Sequence, residues 1–276
     1  MRIVTLVENT AARTGLEPAR GLSIYVETAR RKILFDMGPG PELLANAERL
    51  GVDLAAVDTA VLSHGHSDHG GGLEAFCRVN RHAGIYLREE ALRPYYAVLP
   101  GQDPHYIGLD PLWEQVRDRL VFTEPVRRLD EELLLFSGVA DDRTRRAAAP
   151  KLQEKTPEGF RPDGFAHEQH LIIQSEGKTV LLAGCGHLGI VNTLERAGEL
   201  LGGRMPDAVF GGFHLFELSP EAESARALLD LTAGALSRGH TVYYTGHCTG
   251  EWAYEELRKT LGGRLRPMRT GTAVEI

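Results

Sequence analysis

The chain has 276 residues, 42% of them hydrophobic, enough to bury a sizeable core. Its formal net charge of −7 argues against a general nucleic-acid role, where a basic footprint is expected, though a local basic pocket for an anionic small molecule is compatible with it. No apolar stretch reaches the length of a membrane span, the first residues lack the apolar core of a signal peptide, and Cys77, Cys185 and Cys248 are too few for a disulfide framework, so a cytoplasmic protein without a membrane partner is expected. Residues 3–7 read as a strand, and residues 22–27 and 32–35 as strands flanking a turn at 28–31, a hairpin signal. Residues 41–50 place Leu43, Leu44, Ala47 and Leu50 at helical spacing, with Gly51 at the end. Residues 60–63 form an apolar strand that runs into His64-Gly65-His66-Ser67-Asp68-His69 and three glycines; a helix begins at 73–79 and a strand returns at 84–87.

The stretch from about 88 to 166 is interrupted by proline throughout and reads as an inserted lid, with a small helix at 112–120 and a strand pair, 121–122 with 133–136. Beyond it come strands at 170–174 and 179–183 around a turn at 175–178, a helix at 190–201 and a strand at 208–213. A helix at 220–237, a strand at 241–245, a helix at 251–261 and a closing strand at 272–276 complete the chain. Each half has strands first and helices after, with metal-capable groups at strand ends. That order is expected for one domain over 1–276, an α/β protein built as a four-layer αββα sandwich.

Four metal-capable side chains fall between His64 and His69. Imidazole suits zinc and other borderline ions and carboxylate suits harder ones. In an extended segment alternate side chains share a side, so His64 and His66 can face one ion while Asp68 and His69 face another. Gly70, Gly71 and Gly72 let the backbone bend closely afterwards.

HxHxDH after an apolar strand resembles the signature of the metallo-β-lactamase-fold hydrolases. The resemblance extends to Asp36-Met37-Gly38 after an early strand, Gly184-Cys185-Gly186-His187, and Gly246-His247-Cys248-Thr249-Gly250. Together with Gly211-Gly212-Phe213-His214-Leu215, the pattern is similar to the subgroup containing the archaeal 7,8-dihydropterin-6-methyl-4-(ribofuranosyl)aminobenzene-5′-phosphate synthases. The resemblance implies a cofactor of two divalent ions, zinc foremost, with manganese or iron as alternatives. One ion would be held by His64, His66 and His187, the other by Asp68, His69 and His247. Asp68 would also orient a water or take its proton, and Asp36 would hold a ligand imidazole from behind.

Other positions stay open at this stage. Cys185 stands where most of the superfamily has a bridging Asp; as thiolate it ligates zinc but bridges hard ions poorly, and a buried apolar role is the alternative. His167 can ligate, contact substrate or sit in a solvated loop. His214 fits a substrate contact and a core histidine equally. Arg143, Arg145 and Arg146, with Lys151, would bind a phosphate or carboxylate, or simply be solvated. Tyr95, Tyr96, His105, Tyr106 and Trp113 would stack on a ring substrate or anchor the lid. The expected function is a metallo-hydrolase attacking an ester, lactone, amide or phosphoester with an activated water. A synthase-like condensing enzyme and a non-catalytic, metal-containing ligand sensor are the alternatives.

Overall fold

The computed structural model describes residues 1–276, apart from the side chains of Leu112 and Arg143. The chain divides into two compact units: Met1–Pro125 with Pro150–Gln169 and Arg269–Ile276, and Val126–Ala149 with His170–Met268. No helix among the described residues is long and apolar enough to cross a membrane.

The first unit opens with β1 (Arg2–Val7), β2 (Ser23–Glu27) and β3 (Lys32–Phe35), then α1 (Glu42–Arg49), β4 (Thr59–Val61), α2 (Ser67–Gly70), α3 (Leu73–Val79) and β5 (Gly84–Leu87). It continues through β6 (Tyr95–Ala97), β7 (His105–Tyr106) and β8 (Leu120–Phe122). The second unit takes β9 (Val126–Arg128) and β10 (Leu133–Phe136), and the first regains β11 (Leu152–Thr156) and β12 (Gly159–Pro162). The second then holds β13 (His170–Ser175), β14 (Lys178–Leu182), α4 (Ile190–Leu200), β15 (Ala208–Phe210), α5 (Glu223–Leu236), β16 (Val242–Thr245), α6 (Glu251–Leu261) and β17 (Leu265–Pro267). β18 (Ala273–Glu275) closes the first.

Among the described residues the first unit carries a seven-stranded sheet in the order β18-β1-β2-β3-β4-β5-β8, and the second a seven-stranded sheet β17-β16-β15-β14-β13-β10-β9. Each begins as an antiparallel meander and turns parallel, at β3–β4 in the first and β14–β15 in the second. The parallel strands are short and apolar throughout: Thr59, Ala60 and Val61 of β4 are all buried, as are Ala208, Val209 and Phe210 of β15. Such runs fit strands covered on both faces. Both sets of parallel strands end in turns rich in His, Cys and Asp, and the carboxyl ends of parallel strands are where open α/β sheets place ligands.

The segment expected as a lid is shared between the units. The helical stretch expected at 112–120 is a 3-10 segment, Pro111–Arg119, broken at Val116, whose φ of −118° leaves the helical region. The expected pairing of 121–122 with 133–136 does not form. β8 instead extends the first sheet beside β5, and β10, fully buried, pairs with β13 in the second. A four-stranded sheet, β12-β11-β6-β7, was not expected from the sequence.

Asn80 fixes the end of α3 behind the metal-capable loop. Its Nδ2 donates to Val57 O at 2.7 Å and Leu54 O at 3.0 Å, and its Oδ1 accepts from Ala83 N at 2.9 Å and an Arg119 guanidinium nitrogen at 3.0 Å. Each buried group left unsatisfied costs about 1–3 kcal/mol, so Asn80→Ala is expected to destabilise the protein by about 2–4 kcal/mol. The check is a lower urea midpoint at unchanged slope.

Candidate metal centre

β4 delivers Ser63 and His64 to a turn, and α2 wraps Asp68 and His69 back toward them. Ser67–Gly70 is helical, so the extended part of the motif ends at His66. One ligating atom each from His64, Asp68 and His69 lies within 4.8 Å of the others. The His64 ring centroid is 4.1 Å from that of His69 and 4.6 Å from that of His66.

Asp36 organises these rings from the end of β3. It adopts φ +59°, a left-handed backbone, and is fully buried. Its Oδ1 accepts from Ser63 N at 2.7 Å and its Oδ2 from Ser63 Oγ at 2.7 Å. The same Oδ2 lies 2.6 Å from His69 Nδ1. Ser63 spends its hydroxyl proton on Asp36, so its Oγ accepts from His64 Nδ1 at 2.8 Å. Both imidazoles therefore carry their proton on Nδ1, and Nε2 is the basic nitrogen in each. Neutral imidazoles held by a carboxylate from behind are the donor form that zinc-type ions take, so the residues present fit such an ion. Asp36 thus meets the His69 imidazole; Ser63 was not anticipated, although its position just before His64 at a strand end was the available signal.

His66 faces a different pair. Ligating atoms of His66, Asp163 and His167 lie within 4.8 Å of one another. Burial lowers the His66 pKa, opposed by its hydrogen bond to Asp163. Burial alone would raise Asp163, but hydrogen bonds from His167 and His66 bring it well below the usual carboxylate range. His167 Nδ1 accepts from Gly65 N at 2.8 Å, so its proton is on Nε2, which donates to Asp163 Oδ2 at 2.9 Å. In this arrangement both nitrogens are engaged, and His167 braces the loop at Gly65. The Tyr95 ring packs 4.2 Å from that of His167, and Tyr95 Oη donates to Glu90 O. Gln169 adds a strap: its Nε2 donates to Leu62 O at 2.8 Å and Tyr86 O at 2.9 Å. Asp163 and Gln169 were not anticipated, because nothing local to either shows that it returns to the loop at 62–66.

In the second unit, Cys185 and His187 occupy the turn after β14, His214 the turn after β15, and His247 and Cys248 the turn after β16. His187 and His214 are buried with ring centroids 4.2 Å apart. His214 and His247 both have φ +48°. Cys185, His214 and Cys248 form a further group with ligating atoms within 4.8 Å. Burial alone would raise the Cys248 thiol, but its contacts with Cys185 and His214 and the charge of His247 hold it well below the usual range. Arg145 binds Glu195 at 2.5 Å and Arg146 binds Asp141 at 2.5 Å. The guanidiniums expected to meet an anionic substrate are thus engaged by the protein's own carboxylates, and the Arg143 side chain lies outside the described residues. Of the expected aromatic set, Tyr95 is buried against His167, while Tyr96 packs with Tyr106 and Phe160 on the four-stranded sheet.

A family model described as the metallo-beta-lactamase superfamily matches residues 16–240. A curated relative, the 7,8-dihydropterin-6-methyl-4-(beta-D-ribofuranosyl)-aminobenzene-5′-phosphate synthase of Methanocaldococcus jannaschii, is 25% identical over 269 residues, covering 91% of this chain and 88% of its own. Among solved structures, Tm1679, described as a metal-dependent hydrolase of the beta-lactamase superfamily, is similar over 100% of this chain and 99% of its own, with a TM-score of 0.83 and 28% identity. Zn(2+)-bound PqqB from Methylobacterium extorquens shares the fold, with a TM-score of 0.59 at 11% identity and full coverage of both chains.

Proposed function

The chain belongs to the metallo-β-lactamase superfamily and has its fold, and from that premise we propose that it is a metal-dependent hydrolase acting on an ester, lactone or phosphoester small molecule. The observation that carries the reading is the Asp36–Ser63–His64–His69 network, which sets Nε2 of two buried imidazoles as the basic nitrogen.

The ligand set of the proposal is the one the resemblance implies: His64, His66 and His187 for one ion, and Asp68, His69 and His247 for the other. Two bound divalent ions, zinc foremost, would supply a water acidified to near neutral pH and Lewis-acid stabilisation of the developing oxyanion. The protein's own part is positional. Asp36 and Ser63 prevent rotation of the His64 and His69 rings, so that no ligand has to reorganise during turnover. Asp68, whose side chain is 30% exposed, is the carboxylate of the motif placed to orient a water or accept its proton. Asp163 and His167 hold the loop at Gly65 while substrate enters.

The test is chelation followed by readdition of metal, assayed on a panel of esters, lactones and phosphodiesters. Turnover is expected to fall by at least about 100-fold on chelation, the scale of losing oxyanion stabilisation, and to return with zinc or manganese. Turnover that survives in the chelated protein or in His66→Ala would overturn the reading.

A second reading has a specific support, the 25% identity to the dihydropterin synthase over nearly the whole of both chains. In it the same ions promote condensation on a phosphorylated ribosyl substrate. Product formation from a pterin pyrophosphate with an aminobenzoate derivative, without hydrolysis on the panel, would favour this second reading.

A further inference from the structure

Among the described residues the second unit exposes three large apolar side chains: Val126 on the edge strand β9, Leu231 on α5, and Phe216 on the turn after β15. A lone exposed apolar residue is ordinary on a protein surface. Phe216 differs from the other two in its mount and in its neighbours.

The three residues before it, Phe213, His214 and Leu215, are buried, and the chain turns outward at Phe216, which is 41% exposed. The backbone there is pinned from two sides. Leu215 N and Phe216 N both donate to Cys248 O, at 3.0 and 3.1 Å, and Leu218 N donates to Leu215 O at 3.1 Å, closing a turn. Gly250, at φ +80° just before α6, lets the chain pass directly against this turn. A Cβ on it would stand 2.7 Å from Phe216 Cα and 3.1 Å from Phe216 Cβ. Backbone held in this way keeps the aromatic ring presented instead of letting it fold away.

The neighbours are imidazoles. The Phe216 ring meets the His214 ring edge to face, with centroids 5.4 Å apart and planes at 83°. The His214 ring is in turn 4.2 Å from that of His187. His187, His214 and Phe216 therefore form a file of rings that leads from a ligand of the proposed centre out to solvent. An edge-to-face contact occupies only part of an aromatic side chain, and what stays exposed can take a planar ring in offset stacking. Small-molecule sites are lined in this manner, by apolar and aromatic side chains around a few polar groups.

We propose that Phe216 is a specificity-determining residue: it stacks on a planar aromatic or heteroaromatic ring of the substrate, so the preferred esters or phosphoesters are those that carry such a ring. The proposal deepens the hydrolytic reading and rests on it for the reaction, whereas ring binding is measurable by itself. Phe216 makes or breaks no bond. Its contact is the same before and during reaction, so its loss falls on KM and leaves kcat in place.

The experiment uses the zinc-loaded full chain. Binding of 2-naphthoate and of hexanoate is read by calorimetric titration, and turnover is read on 2-naphthyl acetate and hexyl acetate. Phe216→Ala is expected to weaken naphthoate about tenfold, the scale of losing one aromatic stack, and to leave hexanoate within about twofold. Its KM for the naphthyl ester should rise by a similar factor at unchanged kcat, with zinc content as in the wild type. Phe216→Trp should keep the naphthoate affinity. If Phe216→Ala does not fold, as judged by circular dichroism, Phe216→Leu carries the test, since it keeps an apolar side chain and loses the ring. A wild type that binds naphthoate no better than hexanoate would overturn the proposal. So would a folded variant with unchanged naphthoate affinity, or one that weakens both acids equally, since that makes Phe216 part of the scaffold. The two readings fail separately: naphthoate binding through Phe216 without turnover on any ester sinks the hydrolytic reading alone, and metal-dependent turnover indifferent to Phe216 sinks only this one.

Discussion

Replacing Asp36 with Ala is expected to lower metal affinity 10- to 100-fold, the usual range for losing the carboxylate behind a ligand imidazole. It is also expected to cost about 3–5 kcal/mol of stability, as removal of one member of a buried charged network does. The reasons are local. Asp36 accepts from Ser63 N and Ser63 Oγ and faces His69 Nδ1, all at 2.6–2.7 Å and all in a fully buried setting. Removing the carboxylate leaves those groups unsatisfied. It also takes away the acceptor that makes Ser63 Oγ available to His64 Nδ1, so both rings can adopt the other tautomer. Metal titration followed by competition with a chelator measures the first effect, and urea unfolding of the metal-free protein the second. Unchanged metal affinity in a folded Asp36→Ala protein would remove the support for His64 and His69 as ligands through Nε2.

Gly65→Ala is expected to be strongly damaging to the metal loop. A Cβ there would lie 2.3 Å from the Ala91 carbonyl oxygen and 2.8 Å from Ala91 Cα, backbone atoms that cannot rotate away. Forced overpacking costs about 1–3 kcal/mol and more when backbone must move. The shift would also pull Gly65 N from His167 Nδ1, releasing the brace on the loop. Gly234→Ala is the matched control. Gly234 lies within α5, a Cβ there meets nothing within 4 Å, and helix propensity alone should stabilise the protein by about 0.5–1 kcal/mol. Thermal melts of the two variants should therefore move in opposite directions, and only Gly65→Ala should lose metal.

Much of this was readable from the sequence, and the missing parts share a cause. The strands at the middle of each sheet were legible because apolar runs such as Leu34-Phe35 and Leu181-Leu182 are buried along their whole length. The loop from His64 to His69 announced itself by side-chain chemistry. Sheet membership was not legible: 121–122 and 133–136 both look like strands, but nothing in either says which neighbour it pairs with. The four-stranded sheet escaped because its strands are short, partly exposed and flanked by prolines, so no clear alternation appears. The bracing of Gly65 by His167 spans 102 positions, a distance over which spacing carries no information.

Asp36, His214 and His247 all sit at positive φ without being glycine, a backbone state that costs roughly 1–2 kcal/mol for an ordinary L-residue. Glycine at any of the three would relieve that cost while deleting the carboxylate or imidazole. At Asp36 that relief is smaller than the stability lost with the carboxylate, so laboratory evolution rewarded only for heat resistance should place glycine first at His247, the one of the three that is not fully buried, yielding a hardier protein that has lost a proposed metal ligand. Counter-selection for metal retention would be needed to keep such a lineage functional.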